Sequence, residues 1–282
     1  LNEDENHIYT WYNDYISSIN NVSNSNNVFQ RYIVNHRLDF IFKDNIRLGI
    51  YEQIIFGAKS PPLSYLIPLN PLWSSQHSGN DLDNLQIGID WDYYLKGYRI
   101  YGAMMIDEWA PFDTFSDNER NWFAYQIGFS RILNISDKRA LMKIEYALID
   151  PRAYTHRFII NQPKHNGYNL GYWSENNSDD IYSNLTVFIN DNSMIKFEYE
   201  YTRFGDRTNR ITILENQYLN EEIIFLGDDY NFIKSLSLEY CMKLDNAINL
   251  DFKFSNYITD LFEDERTNFT NLTISVRYNI EY

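Results

Sequence analysis

The chain contains one cysteine, Cys241, in 282 residues, which excludes an intrachain disulfide framework and a structural zinc site built from cysteines. Long apolar runs are also missing. The purely apolar stretches are only a few residues long, against the roughly 20 that a helix needs to cross a bilayer, so any membrane crossing would have to be made by a barrel. Basic charge is scarce: 24 Lys and Arg face 39 Asp and Glu, for a formal charge of −15. Without a basic footprint to displace counterions from phosphate, nucleic acid is not expected as a partner. The acidity also counts against an acidic polysaccharide unless basic residues cluster locally. The five histidines show no repeated spacing of a metal site, and no metal or cofactor is expected. No secretory signal is visible and the first residue is Leu1, which points to a processed form or a fragment.

What the chain has in abundance is aromatic residues, 17% of the total with 24 Tyr. Aromatic and β-branched residues favour pleated surfaces, and Tyr and Trp suit membrane–water interfaces. The final segment alternates without a break. Leu272, Ile274, Val276, Tyr278, Ile280 and Tyr282 are apolar, with Thr273, Ser275, Arg277, Asn279 and Glu281 between them. A strand built this way has one apolar face and one polar face. Ending on an aromatic, it looks like the closing strand of a bacterial outer-membrane barrel, although a soluble sandwich also uses amphipathic strands. The same period predicts strands near 5–18, 28–42, 45–57, 84–95, 98–109, 121–133, 139–149, 181–190, 193–204, 229–242, 246–258 and 268–282.

The connections separate the two readings. Tight turns are predicted at Lys43–Asp44, Lys96–Gly97, Asn134–Asp137, Asp191–Asn192 and Leu244–Asn246, and long connections at 58–83, 110–120, 150–180, 205–228 and 259–267. Short and long alternate throughout. That segregation is the outer-membrane arrangement of periplasmic turns and extracellular loops, and a soluble meander has no reason for it. The expected fold is therefore all-β, a single domain over 1–282 forming an antiparallel up-and-down transmembrane β-barrel with about twelve strands in this chain. On this reading Leu85, Ile87, Ile89, Val187, Ile189, Phe197, Leu236 and Leu250 face lipid. Asp90, Asp92, Lys143, Glu145, Lys196, Glu198, Glu200, Glu239, Asp251 and Lys253 face the lumen, where they either line water or cross-link. Arg131 and Arg203 fall on the lipid face near strand ends, from which they can snorkel.

One ordered set of short motifs goes beyond amphipathicity. It runs from His36-Arg37-Leu38-Asp39 and Leu48-Gly49-Ile50-Tyr51-Glu52 to Tyr65-Leu66-Ile67-Pro68-Leu69-Asn70-Pro71 and Gln76-His77. Asp81-Leu82-Asp83-Asn84, Gly88-Ile89-Asp90 and Gly102 to Asp107-Glu108 follow, then Gln126-Ile127-Gly128, Glu145-Tyr146 and Tyr154-Thr155-His156-Arg157. This order resembles the Wzi-type capsule assembly proteins over about 28–205. The resemblance implies a barrel of about eighteen strands in the outer membrane of a Gram-negative bacterium. It implies a lectin, not an enzyme, whose partners are capsular or other extracellular polysaccharide, outer-membrane lipid and the barrel assembly machinery. Having fewer strands, the chain is expected to be the C-terminal part of a larger barrel, because open edges in lipid are costly. Segment 268–282 would then pair with the first strand of the complete barrel, and Tyr282 would serve insertion.

Candidate polysaccharide contacts fall in the two longest loops: Tyr65, Asn70, Trp73, His77, Asp81 and Asp83 in the first, and Tyr154, His156, Tyr168 and Trp173 in the second. Aromatic rings stack on sugar C–H surfaces, while Asn and Asp accept hydroxyl hydrogens. The first loop, stiffened by Pro61, Pro62, Pro68 and Pro71, would fold into or over the mouth. The structural alternative is that Glu52, Asp81, Asp83 and Asp107 only anchor it to the wall, and the aromatics only pack the loops. Catalysis is not expected. Thr155-His156 is a candidate adjacent nucleophile–base pair, but neighbours in a strand face opposite ways; Asp81 with Asp83 and Glu198 with Glu200 have a spacing that any strand produces. The main alternative function is an outer-membrane porin for small solutes, which would share every barrel feature.

Overall fold

The computed structural model describes residues 30–58, 60–68, 70–78, 83–107, 122–156, 159–165, 168–205, 224–227, 230–244, 248–260 and 266–278. Eleven long strands form one antiparallel up-and-down sheet: β1 (Gln30–Phe42), β2 (Ile46–Ala58), β3 (Asn84–Leu95), β4 (Tyr98–Asp107), β5 (Trp122–Ile135), β6 (Lys138–Ile149), β9 (Ser178–Asn190), β10 (Ser193–Phe204), β11 (Asn231–Lys243), β12 (Ile248–Asp260) and β13 (Thr267–Tyr278). Each strand between β1 and β13 pairs with its neighbours on both sides in this order. The two-residue strands β7 (Lys164–His165) and β8 (Tyr168–Asn169) form a separate hairpin within the β6–β9 connection. Strands predicted at 84–95 and 193–204 occupy those residues, and the others shift by a few residues at their ends. The predicted strand at 5–18 lies outside the described residues.

Tight turns fall at one end of the sheet. Lys43 and Asp44 (φ 51° and 58°) and Lys96 and Gly97 (φ 44° and 86°) take the left-handed backbone of primed hairpin turns, whose twist matches that of the flanking strands. The strand ends that the long connections join all lie at the opposite end. Among the described residues β1 pairs only with β2 and β13 only with β12, so the sheet is open and the expected pairing of the last strand with a first one is not seen.

Register assigns the two faces. On one, Ile50, Ile89, Ile127, Ile144, Phe197, Leu236, Phe252 and Ile274 recur from strand to strand, most of them exposed. All ten charged residues expected opposite them lie on the other face, and eight of them, Glu200 and Glu239 apart, are cross-linked there. Arg37 reaches across β2 to Asp90 at 2.6 Å and also holds Asp39 at 2.8 Å. Lys143 meets Glu145 at 2.5 Å, Lys196 meets Glu198 at 2.6 Å, and Arg277 meets Asp251 at 2.7 Å. Tyr101 and Tyr182 donate their hydroxyls to Glu145 and Glu198, each at 2.7 Å. The two arginines on the apolar face have partners there: Arg203 is bidentate on Asp179, and Arg131 lies 4.5 Å from the Tyr98 ring centroid.

The cross-strand bonds need glycine in the strand they pass over. At Gly128, a Cβ would come within 2.1 Å of the Tyr101 ring, which lies flat over β5 on its way to Glu145. Gly128→Ala should therefore destabilise the sheet by about 1–3 kcal/mol, as overpacking does. In a Tyr101→Ala background the same change should cost much less, and a double-mutant cycle by equilibrium unfolding measures the difference. Equal costs in both backgrounds would refute the bridge.

Candidate functional site

The described part of the β6–β9 connection, within 150–177, folds across the polar face. Asp107, fully buried at the end of β4, accepts the Tyr154 N–H through Oδ2 at 2.6 Å. Asn84 Nδ2 on β3 donates to the Asn161 carbonyl at 3.1 Å, and Gly57 on β2 has no Cβ where Ile160 sits. Tyr172 donates its hydroxyl to Asp180 of β9 at 2.8 Å, and Asp180 also accepts from Thr202 of β10 at 2.6 Å. Gly57, Asn84, Asp107 and Asp180 all belong to the polar face, so one loop is tied to strands from β2 to β9. Arg31 of β1 donates to the Lys164 carbonyl as well.

Beneath the loop, Ala153 and Tyr154 join Met105, Trp122, Ala124, Ala147 and Ile149 of β4, β5 and β6 in a small apolar core. Tyr154 takes a left-handed backbone (φ 62°), a conformation that costs of order 1–3 kcal/mol and persists because its surroundings hold it. Its hydroxyl accepts the Tyr172 N–H at 3.2 Å, and burial pushes its pKa up to about 12, so it stays neutral. Burial, and then the bond to Asp180, likewise raise the Tyr172 phenol above its ordinary range. Lys164 pairs with Glu175 at 3.1 Å, and Asn177 binds the β10–β11 connection by accepting N–H groups from Gly205 and Leu226.

The first loop goes the other way. Its 3-10 turn Leu63–Leu66 and short helix Leu72–Ser78 carry Tyr65 and Leu72 into a cluster with Ile54, Phe56 and Leu85, and Trp73 packs beside it with Tyr32, Val34 and Ile87. Those strand residues lie on the apolar face, which Leu72 N also joins by donating to Glu52 Oε2 at 3.0 Å. The described part of this loop therefore packs on the outside of the sheet and not into or over a mouth. The cause is its composition, since an uncharged, apolar segment finds burial on the apolar face. Leu85, expected to face lipid, is buried beneath it, and Ile87 is partly covered.

The candidate residues divide accordingly. Tyr65 is buried and donates to Asp83 Oδ2 at 2.6 Å; Asn70 Nδ2 donates to the Ser64 carbonyl and Ser75 Oγ. Trp73 is half-buried in the outer cluster. His77 belongs to the short helix, and Asp81 lies outside the described residues. Tyr154 and His156 are buried in the inner loop. These contacts position the loops, as Glu52, Asp83 and Asp107 do. Among the candidates whose side chains are described, two remain open to a ligand: Tyr168, 78% exposed on the small hairpin, and Trp173, 51% exposed with its edge on Phe204 at a centroid distance of 6.2 Å. Sequence reading missed the anchors Asn161, Tyr172 and Asn177. They obey no period, so the sequence carries no signal for them.

No protein-family model matches this sequence, and a comparison with curated proteins finds no match. Among solved structures, the chain is similar to Wzi of Escherichia coli, described as an outer membrane protein involved in group 1 capsule assembly and as a carbohydrate-binding β-barrel. The TM-score is 0.59 at 16% identity, over 89% of this chain and 52% of that one. The likeness is one of fold, and the chain spans about half the length of that protein.

Removing the Asp107 carboxylate strands the buried Tyr154 N–H, at a cost of about 1–3 kcal/mol. Asp107→Ala should loosen the loop and expose 151–177 to limited proteolysis while circular dichroism of the strands is unchanged. Unaltered cleavage would show that the loop is held elsewhere.

Proposed function

We propose that this chain is part of an outer-membrane β-barrel that holds a capsular or other extracellular polysaccharide at the cell surface, and that it does so as a binder and not as an enzyme. The observation that carries the reading is the inner loop. It is pinned across the polar face at the long-connection end, yet it leaves Tyr168 and Trp173 exposed. Large rings on a held loop bind a sugar at low entropic cost, because the loop is ordered before the ligand arrives. Ring stacking also tolerates the acidic surface better than ion pairing would. The exposed apolar face supports the membrane half of the proposal, since so broad a surface needs a partner and the turns and loops segregate as in outer-membrane barrels. The fold shared with Wzi fits both halves. A loop tied across the polar face speaks for a binding platform over an open channel for solutes.

Two rings worth about 1 kcal/mol each put the loss on removing both at roughly tenfold or more in affinity. Tyr168→Ala with Trp173→Ala should therefore release capsule from cells in which the protein still assembles. Full capsule retention by that assembled variant would sink the contacts, and steady ion conductance by the intact protein in a planar bilayer would favour the porin.

Neighbouring residues test the membrane placement. Ile127 is exposed on the apolar face, whereas Gln126, on the polar face, donates to Glu145 at 3.2 Å. Ile127→Lys should cost about 2–4 kcal/mol near the bilayer midplane. Gln126→Lys, beside a carboxylate, should be tolerated. The yield of folded protein in outer-membrane fractions reads both, and equal yields would show that the apolar face does not meet lipid.

A further inference from the structure

From Ser60 to Asn80 the sequence has no Asp, Glu, Lys or Arg. Proline stands at 61, 62, 68 and 71, and the described part of this run is folded against the sheet. One side of it is occupied, with Tyr65 and Leu72 buried against Ile54, Phe56 and Leu85. The other side is apolar and open: Leu63 is 79% exposed, Leu66 51% and Ile67 53%. A water-facing loop gains solubility from charge, and here charge is missing while three large aliphatic side chains point away from the protein.

What lies beside this patch identifies its partner. The same face of β1 and β2 continues toward the tight turns as Leu38, Phe40, Phe42, Ile46 and Ile50, all exposed. Between the two stretches is one polar pair, His36 and Glu52, 3.1 Å apart. The first residue of the short helix covers it, with Leu72 N donating to the second Glu52 oxygen. The apolar surface therefore runs from the strands onto the loop, with its single polar interruption internally bonded. We infer that Leu63–Ile67 is a membrane-contact element, with Leu63, Leu66 and Ile67 seated at the boundary between headgroups and acyl chains. The inference rests on the outer-membrane reading and adds a loop to the strands as a site of lipid contact. Uncharged apolar side chains on a proline-stiffened turn suit that boundary, because they enter it without desolvating charge and with little order left to lose.

Spin labels test this on the full chain in phosphatidylcholine vesicles. Cysteines at Leu63, Leu66, Ile127 and Tyr168 are introduced one at a time together with Cys241→Ser, and collisions with oxygen and with a water-soluble nickel chelate are compared. Labels at 63 and 66 should fall between 127 and 168, with an oxygen-to-nickel ratio clearly above that at 168 and below that at 127. If 127 reads as lipid while 63 and 66 read as water, the inference fails and the membrane reading stands. If both reagents are excluded at 63 and 66, protein covers the patch and the inference fails in favour of a second copy or another segment. If 127 itself reads as water, the membrane reading fails and takes the inference with it.

Discussion

A pleated strand must send successive side chains to opposite faces, and this chain obeys that constraint across eleven strands in register. One-residue slippage anywhere would put Asp90, Glu145, Glu198 or Asp251 among exposed aliphatics. The register therefore fixes more than strand pairing. It gathers most of the charged residues on one surface, where Arg37, Lys143, Lys196 and Arg277 can reach carboxylates on their own or other strands, and it leaves the opposite surface mainly apolar, with scattered charges such as Glu52, Arg131 and the Arg203–Asp179 pair. Glycines such as Gly128 belong to the same constraint, because a tyrosine can lie flat over a neighbouring strand only where that strand presents no Cβ.

The two faces then sort the loops. The uncharged run after β2 settles on the apolar face, where Tyr65 and Leu72 complete a cluster begun by Ile54, Phe56 and Leu85. The Asn- and Tyr-rich run after β6 settles on the polar face, where Asp107, Asn84 and Asp180 meet its N–H, carbonyl and hydroxyl groups. Each loop goes where its own chemistry is satisfied, since a buried polar group without a partner costs as much as a good contact gains. The result is one loop that thickens the sheet on the outside and one that crosses it on the inside.

That division bears on what the protein can bind. Groups that hold the inner loop cannot also greet a ligand, which is why Tyr154 and His156 are absorbed into the fold while Tyr168 and Trp173 stay available. A pinned loop with two open rings is suited to an extended, uncharged surface such as a sugar chain. The acidity that disfavours anionic partners at long range does not weaken stacking at contact.

The positions of the eleven long strands and the division into faces were legible in the sequence, because a period of two is a local property that each strand repeats for itself. So were the turns, since Lys96-Gly97 and its counterparts need particular residues at particular backbone angles. The loops were not. Tyr65, Tyr154 and His156 look in sequence like Trp173, exposed aromatic or polar residues in long connections. Their roles depend on which partner meets them: Asp83, just before β3, for Tyr65, and Asp107 at the end of β4 for Tyr154. Contacts between residues 47 positions apart, such as Tyr154 with Asp107, leave no periodic trace. Local pattern therefore determined the sheet, and tertiary structure alone decided which loop lies on the apolar face, which lies on the polar face, and which aromatics stay exposed.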